Sequence, residues 1–461
     1  MILFLRSFTC LTVLAGAFLM AETPLPPNRS FLNFQQQSEV DLIIGDRIGA
    51  QPTFAVPDCL TSEKGTEITQ ASLTIAEVLW DDLDFEREFR MLARDTYASI
   101  PPARSLTTLP LDRWRELGAD GVISCSVSSA SGGQISVTAR LFNTRSLTSA
   151  FGVEYTGPLT NVRVYAHQLS DEIHRHQRGL VGVARTKISF VSDRDSESVL
   201  GLVENRRTKE VYFSDYDGAN TRRVTVSRSL NTTPHWAPNA RAIAYTSWRR
   251  GFQDIFVSHI YEGRLESPAG GTVEIHNWLP SWSPDGRQMA LTSNRDGNAE
   301  LYVINVDGSN VRRLTNHPGI DTTPTWSPQG HQIAFTSDRT GAPQIYVIDV
   351  DGTGLRRISF ESYCDRPTWS PAPYNEIAYS SRTSPGHHDI KVIDLATSEV
   401  RQLTFGIGTN ESPSYSPNGR HVAFMSTRGS GEKHIWVVGR DGRGLRRLTS
   451  KGNNEMPSWS P

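Results

Sequence analysis

The chain has 461 residues, enough for two or more domains, and its 37% hydrophobic content suffices for ordinary packed cores. A formal charge of −2 gives no global attraction to nucleic acid or to an anionic membrane. Four cysteines are too few for disulfides to be the main scaffold.

The first residues differ from the rest. Arg6 is the only charge before Glu22, Ser7 to Met20 is a short apolar run, and small residues stand at Ala15, Gly16, Ala17 and Ala21. A basic start, a short apolar core and a small-residue cleavage region read as a secretory signal peptide over 1–21, cleaved after Ala21 or Ala17. The run is too short to span a bilayer comfortably. The mature protein is therefore expected to be exported, soluble and not inserted in a membrane. Residues 22–38 are polar and Pro-rich at their start and are expected to form a flexible tail.

Residues 39–182 mix strand and helix patterns, as expected of one α/β domain. Glu39, Val40, Asp41, Leu42, Ile43 and Ile44 read as a short strand, Thr53–Val56 as another, and Ile75–Phe89 as largely helical. Gly121–Val127 and Ile135–Phe142 read as strands. Asn161–Gln177 carries Val162, Tyr165, Leu169 and Ile173 at helical spacing, with Gly179 placed to cap it. His167, His174 and His176 lie on or near that helix. Residues two apart do not share a helix face, so the three are read as solvated surface and no metal site is expected. Cys59 and Cys125 are able to pair in an oxidising compartment, and each equally suits a buried small hydrophobe.

A repeat organises residues 187–461. Pro, any residue, aromatic, small residue, Pro recurs around Trp236, Trp282, Trp326, Trp369, Tyr415 and Trp459, at spacings of 46, 44, 43, 46 and 44 residues. Alternating strands follow, such as Ile243–Ser247 and Ile333–Ser337, with Asp-Gly turns at Asp307-Gly308, Asp351-Gly352 and Asp441-Gly442. Four short strands per unit make a propeller blade. The alternating strand at Ile188–Ser192 has no aromatic-Pro strand before it, and the aromatic-Pro strand ending at Pro461 has no alternating strand after it. Together the two orphans complete a sixth blade by closing the ring. The tryptophans read as inter-blade core. The Arg-Arg pairs at 222–223, 312–313, 356–357 and 446–447 fall on outermost strands, where charge protects a sheet edge, and do not argue for nucleic acid.

The segments before each aromatic-Pro strand differ among blades while the strands repeat, as a scaffold presenting a specific surface would require. They are read as loops carrying His276, Asn277, Trp278 and Leu279, then Asp321, Thr322 and Thr323, then Asp365, Arg366, Glu411, Ser412 and Glu455. A Trp and an Arg among polar groups is a composition typical of interface anchors.

The whole resembles the TolB family, the periplasmic propellers of the Tol–Pal envelope system. The more specific matches are Trp114–Asp120, the run from Arg163 through Ala166-His167 and Asp171 to Gly179, Ser214–Asn220, and a long first repeat in which Phe190 to Tyr245 spans 55 residues. The resemblance implies a propeller that binds the peptidoglycan-associated lipoprotein Pal, with His276, Asn277 and Thr322 where relatives contact it. It also implies an N-terminal strand, here Glu39–Ile44, that binds TolA. Two departures stand out: extra residues precede that strand, and Asp84–Glu88 replaces a Ser-Gly-containing stretch. The expected function is non-enzymatic docking by a periplasmic monomer supporting outer-membrane integrity and cell division, with other outer-membrane proteins as further partners and no cofactor. A glycan-binding propeller and a propeller hydrolase are the rival readings. The second lacks the Gly-x-Ser-x-Gly nucleophile elbow of propeller-capped serine peptidases.

Overall fold

The computed structural model describes residues 28–31, 51–198 and 207–461. The signal segment and Glu39–Ile44 lie outside the described residues. The fold class is as expected: an α/β region, then a closed six-bladed β-propeller.

In chain order the first region comprises β1 (Asn28–Phe31), β2 (Thr53–Ala55), α1 (Thr66–Glu86), β3 (Arg90–Met91), α2 (Leu111–Glu116), β4 (Gly121–Ala130), β5 (Gln134–Asn143), β6 (Thr148–Pro158) and α3 (Val162–Arg178). The strands form one sheet in the order β1-β6-β5-β4-β2-β3. The tail expected over 22–38 is thus corrected at its centre, where β1 pairs antiparallel with the edge strand β6, Asn28 opposite Thr156 and Phe31 opposite Val153. Ile75, Leu79 and Leu83 of α1 and Tyr165, Leu169 and Ile173 of α3 recur at helical spacing and bury against Ile123, Val127, Val137 and Val153 of the sheet. Helix α1 starts at Thr66, earlier than expected, because Ile68, Ala71 and Ser72 continue its buried stripe among polar neighbours. Gly179 caps α3 in the left-handed conformation, φ 63°. Cys59 and Cys125 are joined by a disulfide, Cα atoms 4.5 Å apart, which ties the segment after β2 to the middle of β4.

Each of the six blades is a four-stranded antiparallel sheet. Blade I is completed by the C-terminal strand Asn454–Trp459, which pairs with Lys187–Ser192: Asn454 lies opposite Ser192 and Trp459 opposite Ile188. Blades II to VI begin with innermost strands at Asn231–Trp236, Asn277–Trp282, Asp321–Trp326, Cys364–Trp369 and Asn410–Tyr415. The aromatics that end these strands pack between blades, and the Arg-Arg pairs lie on outermost strands. At the closing seam, Trp459 joins Ile188, Phe190, Tyr216, Ile435 and Val437 in one cluster, and Phe85 of α1 is part of it. The α/β region is therefore plugged into the seam between blades VI and I.

Candidate functional site

The third residue of every innermost strand is a bulge. Thr233, Leu279, Thr323, Arg366, Ser412 and Met456 all have φ between 49° and 58°, and the strand register shifts at each. Proline follows in every blade (Pro234, Pro280, Pro324, Pro367, Pro413, Pro457). Proline has no N–H, so the bulge strands no donor. The distortion alters the side-chain alternation at the end of the ring where the innermost strands begin.

This geometry corrects the expected positions. Of the residues read as loops, only His276 precedes its strand; Asn277, Trp278 and Leu279, Asp321, Thr322 and Thr323, Asp365 and Arg366, Glu411 and Ser412, and Glu455 lie within innermost strands. The first strand residue is turned into the blade. Asn277 and Asp321 are both 0% exposed. Asn277 Nδ2 donates to Asp254 Oδ1 (3.0 Å), and its Oδ1 accepts from Arg295 Nη2 (3.1 Å). Asp321 Oδ2 accepts from Arg339 Nη2 (2.7 Å). The pattern recurs at Asn410 with Arg428 and Asp389, and at Asn454 with Arg194; the arginine comes from the same blade, and the bonds to Asp254 and Asp389 tie Asn277 and Asn410 to the preceding one. Ser412 is also buried. Buried Glu455 is paired with Lys209 and Lys433, whose charges hold its carboxyl below the usual range against burial. Asn277, Asp321, Ser412 and Glu455 are thereby buried: the first two as the inward-turned first residues of their strands, Ser412 at its bulge, and Glu455 between two lysines.

His276, Trp278, Leu279, Thr322, Thr323, Asp365, Arg366 and Glu411 remain partly exposed at this end. Arg366 Nη1 donates to Ser412 Oγ (3.1 Å), and Asp365 Oδ1 accepts from Thr336 Oγ1 (2.9 Å). Blade V departs most from the repeat. Its first residue is Cys364 rather than Asn or Asp. Burial, countered in part by Ser359, pushes the Cys364 thiol up to about 12. Its second and third strands, Glu376–Ser384 and His387–Asp394, are longer than their counterparts. The Arg382 guanidinium sits 4.5 Å over the Tyr363 ring, Tyr363 packs edge-on to His388, and His388 Nδ1 lies 3.2 Å from Glu411 Oε1. Sequence reasoning passed over exposed apolar side chains in the five connections that lead to the innermost strands of blades II to VI: Val226, Val273, Ile320, Phe360, and the pair Phe405 and Ile407. The available signal was an apolar residue recurring one to five positions before five of the six innermost strands.

The opposite ring end carries the α/β region. Asp82 of α1 accepts from Tyr216 Oη (2.6 Å) and from His167 Nδ1 (2.8 Å), and all three are buried. Burial alone would push His167 down, but the charge of Asp82 and its hydrogen bond outweigh this and hold the imidazole above its usual range. Burial likewise raises Asp82, against the pull of His167 and Tyr216. His174 is buried too, its Nδ1 2.9 Å from the Ser170 carbonyl, and desolvation lowers it to about 4. The solvated reading is therefore corrected for His167 and His174, which α3 turns into the junction and the core; His176 is exposed. The departing stretch Asp84–Glu88 is the heart of the contact. Phe85 stacks on His421, ring centroids 4.6 Å apart. Glu86 accepts from the Val183 N–H (2.7 Å) and pairs with Arg420. Arg87, in the left-handed conformation, forks onto Asp441 at 3.0 and 2.9 Å and holds that carboxyl at about 2.

The fold and these surfaces define a two-domain protein in which an α/β domain is plugged into one end of a closed six-bladed propeller and the other end is free of it. Residues 176–461 match the family model described as TolB beta propeller domain, and residues 40–149 match the TolB amino-terminal domain. The Tol-Pal system protein TolB of Bordetella avium is 36% identical over 410 residues, 86% of this chain and 89% of that one. The chain spans about half the length of other relatives it matches: 44% of the Desulfosudis oleivorans protein, at 35% identity, and 51% of the Jannaschia protein, at 30%. The crystal structure of TolB from Acinetobacter baumannii superposes with a TM-score of 0.74 at 25% identity, covering 89% of this chain and 97% of that one. The chain belongs to the TolB family of Tol-Pal system proteins. Among the described residues no helix is long and apolar enough to cross a membrane.

Proposed function

We propose that the chain is a periplasmic docking protein of the Tol–Pal system. Its free ring end binds a Pal-like lipoprotein, and Glu39–Ile44 adds as a strand to a TolA-like protein; together they support outer-membrane integrity and cell division. The observation that carries this reading is the free ring end. His276, Trp278, Leu279, Thr322 and Arg366 surround its opening, with Phe360, Phe405 and Ile407 exposed around them. Partly exposed aromatic, aliphatic and Arg groups on a rigid frame suit the anchors of a protein interface. The second role rests on the alternating pattern of Glu39–Ile44, which suits main-chain pairing with another sheet's edge. Titration calorimetry of the purified chain with a Pal-type domain tests the first role. The His276→Ala, Thr322→Ala pair is expected to weaken binding by about 2 kcal/mol while leaving the melting temperature unchanged. Wild-type affinity in that pair would place the partner on another face. Replacing Val40, Leu42 and Ile44 by Ser is expected to remove binding to a TolA-type domain alone.

A further inference from the structure

The α/β domain contains a cavity of about 600 Å³ that the docking function leaves unused. It lies between the segment Pro57–Thr61, the N-terminal half of α1 and the stretch from Arg94 to Trp114. Its volume is in the range of small-molecule sites. Most of the wall is apolar, with Leu60, Leu73, Ile100 and Leu109 beside several prolines, and Cys59 of the disulfide contributes to it.

The polar groups of the wall divide in two. One set is satisfied internally: Tyr97 Oη accepts from the Val56 N–H and donates to the Leu92 carbonyl, Ser72 Oγ donates to the Thr69 carbonyl, and Thr69 Oγ1 donates to the Gly65 carbonyl. The other set is not. Trp114 and Ser124 are 2% and 0% exposed, yet Trp114 Nε1 and Ser124 Oγ have no hydrogen-bond partner among the described residues. Arg94 pairs with Asp58 through Nη2 while its buried Nη1 has none. Buried donors are nearly always paired, so three open ones on one cavity call for an explanation. An indole N–H and a guanidinium N–H only donate, and a hydroxyl donates readily, so the missing partner is an acceptor. Arg94, the one cation on the wall, keeps one arm on Asp58 of the same wall and has the other open to a charge-assisted bond, and the remaining wall favours an apolar body.

We propose that this cavity is a binding site for a small amphipathic carboxylate, its head held by Arg94, Trp114 and Ser124 and its hydrocarbon body by the leucines, isoleucine and prolines. Octanoate is the probe, titrated calorimetrically into the full chain, with octanol as the uncharged control. Saturable binding of octanoate is expected, with octanol weaker by about tenfold or more, as the loss of a charge-assisted contact requires. Arg94→Gln should weaken octanoate by about the same factor and leave octanol unchanged. Ala98→Trp, which fills the cavity from an exposed position of its wall, should abolish binding of both without lowering the melting temperature. Octanoate that fails to saturate the wild-type chain, or that binds both variants as tightly as wild type, overturns the proposal.

Discussion

The buried Asp82–His167–Tyr216 junction links α1, α3 and the propeller, and its charge makes a specific demand on stability. Asp82 is 1% exposed and receives both a phenol and an imidazole. Other charged groups act there too: Asp217, itself paired with Arg163, Asp215, paired with Lys187, Asp81 next to Asp82, and Arg446 beyond Tyr216. Asp82→Asn keeps the shape and removes the charge. Removing one charge of a buried pair leaves the other uncompensated, so the substitution is expected to destabilise the chain by about 3 kcal/mol near pH 6.

The pH dependence has a definite sign. The folded-state imidazole of His167 is raised above 6.5, so its stabilisation is fully present below pH 6.5 and is lost as pH rises through the folded value. Raised Asp82 acts in the same sense at lower pH, its share present below the ordinary carboxylate value and lost above it. In Asp82→Asn the main offset to the burial of His167 is gone and the pull of Asp217 is countered by Arg163, so the imidazole is expected to fall below 6.5 and the slope of stability against pH through that region to reverse. Urea unfolding followed by tryptophan fluorescence, at about pH 6 and about pH 8, reads both effects. A variant with wild-type stability and a wild-type slope would show that the junction is solvated and that the ion pair has no energetic role.

Three further outcomes are expected of the same molecule. Burial depresses His421, under Phe85, to about 4, and its protonation must cost stability as pH falls from 6.5 towards 4, by about 3 kcal/mol; loss of hydrogen-exchange protection at the junction should appear there, and His421→Gln should blunt it. Trp459→Ala should destabilise the propeller by about 3–5 kcal/mol, since it empties a seam core and leaves the Thr186 hydroxyl without the indole at 2.7 Å; an unchanged melting temperature would refute closure through this strand. Reducing the Cys59–Cys125 disulfide, which closes a loop of 66 residues, should lower the stability of the α/β domain by about 4 kcal/mol with little effect on the propeller, and differential scanning calorimetry with and without reductant separates the two transitions.

The parts legible in the sequence are those fixed by period. Aromatic-Pro spacing gave six blades, and the orphan strands at Ile188 and Trp459 gave ring closure, because a closed ring of repeats has only one way to use both. The parts that were not legible depend on partners far apart in the chain. His167 reads as surface on its own helix, but its partner Asp82 is 85 residues away and Tyr216 lies beyond both. A local signal did exist: His167, Ser170 and His174 share a face at three- and four-residue spacing, whereas His174 and His176 do not. Strand β6 was missed because Gly152 and Gly157 resemble turn punctuation, although Val153 and Tyr155 alternate towards the core.

The free ring end shows why a repeat conceals which of its residues face outward. Asn277 and Asp321 were read as part of the variable surface, yet they and their counterparts Asn231, Asn410 and Asn454 are all buried first residues of innermost strands. Four of them accept a guanidinium in the same way, so the variation there is between Asn and Asp serving one structural task. A ring of equivalent blades presents the same surface six times, and an asymmetric partner needs that symmetry broken. Blade V breaks it. Cys364 replaces the amide, Arg382 turns onto Tyr363 instead of onto the strand start, and the second hairpin lengthens, while Arg366 reaches Ser412 of blade VI across one gap and Asp365 accepts from Thr336 of blade IV across the other. On this argument, specificity for a lipoprotein partner concentrates between blades V and VI. Exchanging Asp365 and Arg366 for the Thr-Thr pair of blade IV should then weaken Pal-type binding more than the reverse exchange at Thr322 and Thr323. Equal effects from the two exchanges would mean that the partner reads the ring as a whole.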